Sequence, residues 1–228
     1  MLKQTDLLTI ENRPSAPMEE YLEALCRILD RGETPTATTL ARELQVAAPS
    51  VVGMLKRMSE MGLILYEKRC PVILTPTGEG AAMNLRRRHR LAERMLTDLL
   101  KMPWSRAHSL ACSFEHVITA EIEPYLLKAL NNPLTCPHGN PLSGEKGEDN
   151  GLSPLAEFSI GNKCEVCCIT DENDELLNYL ERVKITPGQM VKIVDIAPGN
   201  GPFLIEVNNE RQALSVEAAG HIMVKIVN

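Results

Sequence analysis

At 228 residues and 44% hydrophobic composition the chain has material for one large or two small cores, and no stretch of about 18 uncharged apolar residues that would cross a bilayer. Its net charge of −6 excludes nucleic acid only as a total: residues 40–94 hold ten Lys and Arg against five Glu, a balance of +5, while residues 140–228 hold seven against fourteen acidic residues, a balance of −7. Phosphate attraction follows the local patch, so DNA stays open as a partner. Seven cysteines, odd in number and unevenly spread, argue against a disulfide framework, and the first twenty residues lack a leader's apolar core and cleavage site. A soluble cytoplasmic protein with reduced thiols and no membrane partner is expected.

Residues 18–31 place Tyr21, Leu22, Leu25, Ile28 and Leu29 at helical spacing, with Gly32 as a stop. Residues 39–44 read as a short helix, and after VAAPS a longer one carries Val51, Val52, Leu55 and Met58 as far as Gly62. Two short helices about a tight turn are the outline of a helix-turn-helix. Pro49 and Ser50, at the start of the second helix, stand where side chains reach bases, and Lys56 and Arg57 are placed for phosphates or base edges. Val52 and Gly53 offer few hydrogen bonds, which shifts readout toward thymine methyls and DNA shape. The run LILYEKRCPVILT gives two β-rich segments around a charged turn with Lys68 and Arg69, a hairpin wing beside the reading helix. The blander reading is a three-helix core with a hairpin and no DNA; the local basic balance favours the binder.

Residues 78–100 form a long helical pattern. It contains Arg86, Arg87, Arg88 and Arg90, by default a solvated face, and His89 and Glu93 four apart on one side. Residues 102–104 break it. The next segment, HSLACSFEH, sets His108, Cys112, Glu115 and His116 at offsets of 0, 4, 7 and 8, which on a helix keeps all four on one stripe. Imidazole and carboxylate suit divalent first-row metals, and one thiolate biases the set away from calcium and magnesium. The competing reading is a helix with two polar histidines and a buried cysteine. Residues 117–130 continue as helix, with Pro124 as a kink or boundary and apolar positions suited to packing or a dimer face. The stretch NNPLTCPHGNPLSGEKGEDNGLSP reads as linker. From Lys163 short strands follow around a helical DELLNYLERV, a small β-barrel-like module. Cys164, Cys167 and Cys168 read as thiols of a buried strand rather than a metal pair.

With helix-turn-helix, wing, donor-bearing helices, linker and β module in this order, the chain resembles the iron- and manganese-dependent repressors of the diphtheria toxin repressor family. The resemblance rests on RHRLAER at 88–94, MPW at 102–104, HSLACSFEHV at 108–117 and ALNNPLTCPHGNPLSG at 129–144. It implies an α+β architecture: a winged helix-turn-helix over 1–76, a helical metal-binding and dimerisation domain over 77–144, a linker over 145–162 and an SH3-like or FeoA-like β domain over 163–228. It also implies a homodimer on a palindromic operator in double-stranded DNA, and no small-molecule substrate. Two metal sites per subunit follow. The primary one maps onto Glu20, Cys112, Glu115 and His116, with Glu23 as a second acidic donor of the manganese branch. The ancillary one maps onto His89, Glu93 and His108, with Glu172 and Glu175 as loosely aligned donors from the β module. Iron-responsive members carry Met at the position of Glu20, and manganese-responsive members carry Asp there and lack the Cys. This chain combines a carboxylate with Cys112, so Fe(II) or Mn(II) is expected, iron first, with Zn, Co or Ni as surrogates. A manganese-specific regulator is the nearest alternative. A metal-dependent hydrolase or a metal-independent peptide-binding adaptor would need a different use of the first 75 residues.

Overall fold

The computed structural model describes residues 14–143, 151–199 and 201–227, so residues 145–150 of the expected linker and the first thirteen residues lie outside it. The chain divides into two units, 1–86 and 87–228, each taken by itself. In the first, α1 (Ala16–Asp30) buries Leu22, Leu25 and Ile28 completely. Helix α2 (Ala37–Glu43) begins in a capping box: the Thr36 hydroxyl accepts from the Thr39 amide at 3.1 Å and the Thr39 hydroxyl from the Thr36 amide at 2.7 Å. Glu43, at the far end of α2, takes Arg27 at 3.0 Å and Arg31 at 2.7 Å, tying α2 to α1. Helix α3 (Ala48–Glu60) turns Val51, Leu55 and Met58 into the same core. The wing is a short ladder of β1 (Ile64–Leu65) and β2 (Ile73–Leu74), paired Ile64 to Leu74 and Leu65 to Ile73. Gly78 is required beside it, because a Cβ there would lie 1.9 Å from the Leu63 carbonyl oxygen.

Helix α4 (Pro76–Arg94) crosses the division and ends in a π-helical turn, Met95–Leu99. A 3₁₀ turn (Trp104–Arg106) leads into α5 (Ala107–Phe114), and α6 spans Glu123–Ala129. Two expectations are corrected here. Helix α5 ends at Phe114 with Glu115 as its C-cap, still right-handed helical and bonded to the Ala111 carbonyl at 2.9 Å, so His116 is the donor that lies beyond the helix; and 117–130 is not one helix, because Pro124 stands in the first turn of α6, where a missing N–H costs nothing. The arginine run is not a solvated face either. Arg87 pairs with Glu123 at 2.6 Å, Arg88 donates to the Glu115 carbonyl at 2.9 Å, and Arg90 donates to the Pro141 carbonyl. Arg94, at the end of the helix, donates to the Thr135 carbonyl at 2.7 Å and the Cys136 carbonyl at 3.2 Å.

The β module is an open, wholly antiparallel sheet in the order β3-β8-β4-β5-β6-β7, not a closed barrel. Its strands are β3 (Ser153–Pro154), β4 (Lys163–Ile169), β5 (Met190–Ile196), β6 (Phe203–Val207), β7 (Glu210–Leu214) and β8 (Ile222–Ile226); α7 (Asp174–Arg182) and α8 (Val216–Gly220) pack with them. Alternation on β4 and β5 sends Cys164, Val166, Val191 and Ile193 inward. Strand β3 pairs with β8 and Leu155 is fully buried, so the sheet begins inside the stretch expected as linker. Cys164 and Cys168 are buried on β4, and none of Cys164, Cys167 and Cys168 joins a donor cluster among the described residues.

Candidate metal centres and DNA-reading surface

In the second unit, α4, α5 and a loop after α6 converge on Glu93, which is wholly buried. Glu93 Oε1 lies 3.3 Å from His89 Nε2, 3.0 Å from His108 Nδ1 and 3.3 Å from His138 Nδ1. Glu172, between β4 and α7, sets Oε1 at 3.2 Å from His138 Nδ1 and 3.7 Å from Cys136 Sγ, and Oε2 at 3.6 Å from His108 Nδ1. His89, Glu93, His108 and Glu172, expected from the sequence, are thus brought together. Glu175 is not: it is exposed on the first turn of α7 and lines a surface cleft of about 740 Å³, because a residue three positions past Glu172 has already entered that helix.

Cys136 and His138 fall in the stretch whose composition predicts a linker, yet both are fully buried donors of this cluster. The C-x-H spacing in TCPHGN was the available signal; it was masked by flanking Pro, Gly and Asn that looked like punctuation. Those same residues build the loop. Gly139, at φ +89°, stands where a Cβ would lie 2.0 Å from the Cys167 carbonyl oxygen, so its absence lets the loop lie against β4, where the Ile169 amide donates to the His138 carbonyl at 2.9 Å. Asn140 Nδ2 bridges to the Ile169 carbonyl and to Glu172 Oε1, both at 2.8 Å. Trp104 Nε1 donates to the Pro137 carbonyl at 2.8 Å, while His138 Nε2 donates to the Trp104 carbonyl at 3.2 Å. With Nε2 so engaged, Nδ1 is left facing the carboxylates.

The electrostatics match that geometry. Burial pushes the Glu93 carboxyl up, but hydrogen bonds from His108, His138 and His89 outweigh it and hold Glu93 well below the usual range. Burial lowers His138, yet Glu172 and Glu93 raise it to about 10; His89 is likewise raised well above its ordinary value against burial, by Cys112, Glu115 and Glu93. The Cys136 thiol is pushed up, first by burial and then by the charges of Glu93 and Glu172. Protonated imidazoles therefore balance the buried carboxylates, a task that a divalent cation performs with release of those protons. Glu93 Oε2 is buried without a hydrogen-bond partner, which fits a metal-facing oxygen better than a structural ion pair.

A second group adjoins through His89, whose Nδ1 donates to Glu115 Oε2 at 2.6 Å. Glu115 Oε1 lies 3.6 Å from His116 Nε2, and Cys112 hydrogen-bonds His89. Cys112, Glu115 and His116 thus keep one end of α5 rich in thiol, carboxylate and imidazole. Glu20 and Glu23 are half-buried on α1 in the first unit, three residues apart and on one side of that helix, and Glu23 pairs with Arg27 at 2.8 Å.

Also in the first unit, Pro49, Ser50, Gly53, Lys56 and Arg57 form the solvent face of α3, with half-buried Val52 at its margin. This face lies opposite Val51, Leu55 and Met58. Lys68 and Arg69 are exposed at the tip of the wing, Arg69 in a left-handed conformation at φ 69°.

Comparison with known proteins accords with both arrangements. Residues 15–71 match the iron-dependent repressor N-terminal DNA-binding domain, 75–143 the iron-dependent repressor metal-binding and dimerisation domain, and 153–226 the FeoA domain. The chain is 32% identical over 223 residues to the iron-dependent repressor IdeR of Mycobacterium tuberculosis, covering 92% of this chain and 96% of that protein. It is 32% identical over 190 residues to the diphtheria toxin repressor of Corynebacterium diphtheriae, covering 78% and 84%. Among solved structures, ScaR with bound Cd2+ superposes with a TM-score of 0.75 at 26% identity, covering 94% of this chain and all of that one. A manganese-dependent transcriptional repressor in complex with manganese shares the fold with a TM-score of 0.78 at 22% identity, over 92% of this chain and all of that one. These relatives are transcriptional regulators, so the hydrolase alternative falls. The chain belongs to the iron-dependent repressor family, that of the diphtheria toxin repressor, and is a DNA-binding, metal-dependent transcriptional repressor.

Proposed function

We propose that Fe(II) or Mn(II) is the corepressor, iron ahead of manganese, and that each subunit binds it at two sites. The observation that carries this reading is the convergence of His89, His108 and His138 on the buried carboxylate of Glu93. The primary site uses Cys112, Glu115 and His116 with Glu20 as the ligand added by the family resemblance, and Glu23 as a reserve carboxylate. The second site is built on Glu93 with His89, His108 and Glu172, joined by Cys136 and His138. Cys112 supports iron, since a thiolate is the softer donor; Glu20 and Glu23 support manganese as the second reading. Zn(II), Co(II) or Ni(II) would serve as surrogates in vitro.

The ion acts by binding one conformer better than the other, which shifts the population toward the DNA-competent state. The protein then works as a cytoplasmic homodimer on a palindromic operator that controls metal-homeostasis genes. Val117 and Tyr125, 60% and 76% exposed within the stretch that matches the dimerisation domain, support an apolar subunit contact. The solvent face of α3 reads the major groove and the wing tip, Lys68 and Arg69, touches phosphate.

Gel-shift titration of operator DNA under anaerobic conditions tests this. A shift that appears with Fe(II) or Mn(II) and vanishes with chelator is expected; a shift indifferent to chelator would sink the proposal. In parallel metal titrations Glu20→Met should alter the affinity ratio between the two metals, and an unchanged ratio and affinity would remove Glu20 from the ligand set. The pair Ser50→Ala with Arg57→Ala should weaken metal-dependent operator binding by about tenfold or more, on roughly 1–3 kcal/mol per good base contact. Unchanged binding would place the reading surface elsewhere.

A further inference from the structure

The second cluster gathers six donor residues, His89, Glu93, His108, Cys136, His138 and Glu172, and their donor atoms do not form one mutually close set. They fall into two sets, each with its donor atoms within 4.8 Å of one another: His89, Glu93 and His108 in one, and Glu93, Cys136, His138 and Glu172 in the other. Glu93 belongs to both. Its Oε1 sits among the three imidazoles, whereas Oε2 is buried and takes no hydrogen bond. Glu172, by contrast, divides its oxygens between the two sets. Its Oε1 faces His138 at 3.2 Å and Cys136 at 3.7 Å, and its Oε2 faces His108 at 3.6 Å. The rings of His108 and His138 are 6.3 Å apart and meet edge to face, and both Nδ1 atoms reach Glu93 Oε1, at 3.0 and 3.3 Å.

Glu172, which turns one oxygen to each donor set, and Glu93, whose Oε1 is common to both, are placed to bridge two metal ions. The orientation of the ligands is fixed from outside. His89 is held by its Nδ1 donation to Glu115 at 2.6 Å, His138 by its Nε2 donation to the Trp104 carbonyl at 3.2 Å, and Glu172 by Asn140 at 2.8 Å. We propose that the second site is dinuclear, with Glu93 and Glu172 as bridges, one divalent ion on His89 and His108, and the other on Cys136 and His138. Each subunit then binds three ions rather than two. The two positions differ in character: the imidazole set suits Mn(II), and the set with a thiolate suits the softer Fe(II), Co(II) or Zn(II). This deepens the second-site reading above and rests on it.

Metal stoichiometry of the full chain, by equilibrium dialysis with Mn(II), together with electron paramagnetic resonance of the loaded protein, tests the proposal. Carboxylate-bridged ions lie about 3.5–4 Å apart in two-metal sites, close enough for their spins to couple. Three Mn(II) per subunit are expected, two of them exchange-coupled. His108→Ala and Cys136→Ala should each remove a single ion and the coupled signal, leaving the neighbouring ion bound, and Glu93→Gln in the otherwise unaltered chain should likewise abolish the coupling. Two magnetically isolated ions, with His108→Ala and Cys136→Ala weakening the same one, would overturn the dinuclear centre while leaving a second site in place. A stoichiometry unaffected by either substitution would instead overturn the second-site reading itself. Circular dichroism of each metal-free variant separates loss of ligand from loss of fold.

Discussion

His89→Ala is expected to raise the metal concentration needed for operator binding by at least about a hundredfold and to destabilise the metal-free protein as well. His89 touches both donor groups, through Nδ1 to Glu115 at 2.6 Å and through Nε2 to His108 at 3.0 Å and Glu93 at 3.3 Å. Its removal leaves two buried carboxylates short of a counter-charge. Breaking one partner out of a buried pair costs about 3–5 kcal/mol, and loss of an outer-shell partner alone costs ~10–100-fold in metal affinity. At roughly 2–4 °C per kcal/mol for a chain of this size, a fall of about 6–20 °C in the melting temperature follows. Metal-free melting and operator gel shifts over a Mn(II) series check the two halves separately. A variant with normal melting and normal metal response would show that His89 only fills space.

Gly139→Ala is expected to dismantle the second site without touching any ligand. The added Cβ would sit 2.0 Å from the Cys167 carbonyl oxygen and 2.9 Å from Cys168 Cβ, on a backbone at φ +89°. Backbone cannot rotate away as a side chain does, so the loop must lift from β4. The Ile169 amide then loses the His138 carbonyl and Asn140 loses the Ile169 carbonyl. Strain of about 1–3 kcal/mol and hydrogen bonds worth ~1 kcal/mol each give a loss of roughly 3–5 kcal/mol. Gly161→Ala is the comparison: its φ is +92° but nothing lies within 4 Å of the added atom, so only backbone strain of about 1 kcal/mol applies. Urea unfolding with metal counting should show Gly139→Ala losing stability and second-site metal together, and Gly161→Ala keeping its metal. Equal behaviour of the two would mean that close packing against β4 does not hold the loop.

The elements that local pattern could reveal were legible in the chain. The helical spacing around Leu22, Leu25 and Ile28, the two short helices with Val51, Leu55 and Met58, and the wing were all readable because periodicity is a property of neighbours. Donors on helices, His89 and Glu93 on α4 and His108 and Cys112 on α5, were readable for the same reason. Cys136 and His138 were not. They lie in a loop whose Pro, Gly and Asn look the same whether the backbone is solvated or pressed against a strand, and only burial separates those cases. Glu175 failed in the opposite way, since a spacing of three was extended past the start of α7.

By itself the sequence determined the order of the modules, the basic character of the amino-terminal part and the donor chemistry, because each depends on composition and short-range spacing. Tertiary structure alone decided which donors share a centre. It divided the HSLACSFEH stripe, placing His108 3.0 Å from Glu93 and Glu115 against His89, and it brought the Cys136–His138 loop and Glu172 to Glu93 from 43 or more residues away. Coordination acts over about 2 Å, and closing loops of that length costs little extra entropy for each added residue, so ligand sets are chosen by packing rather than by distance along the chain.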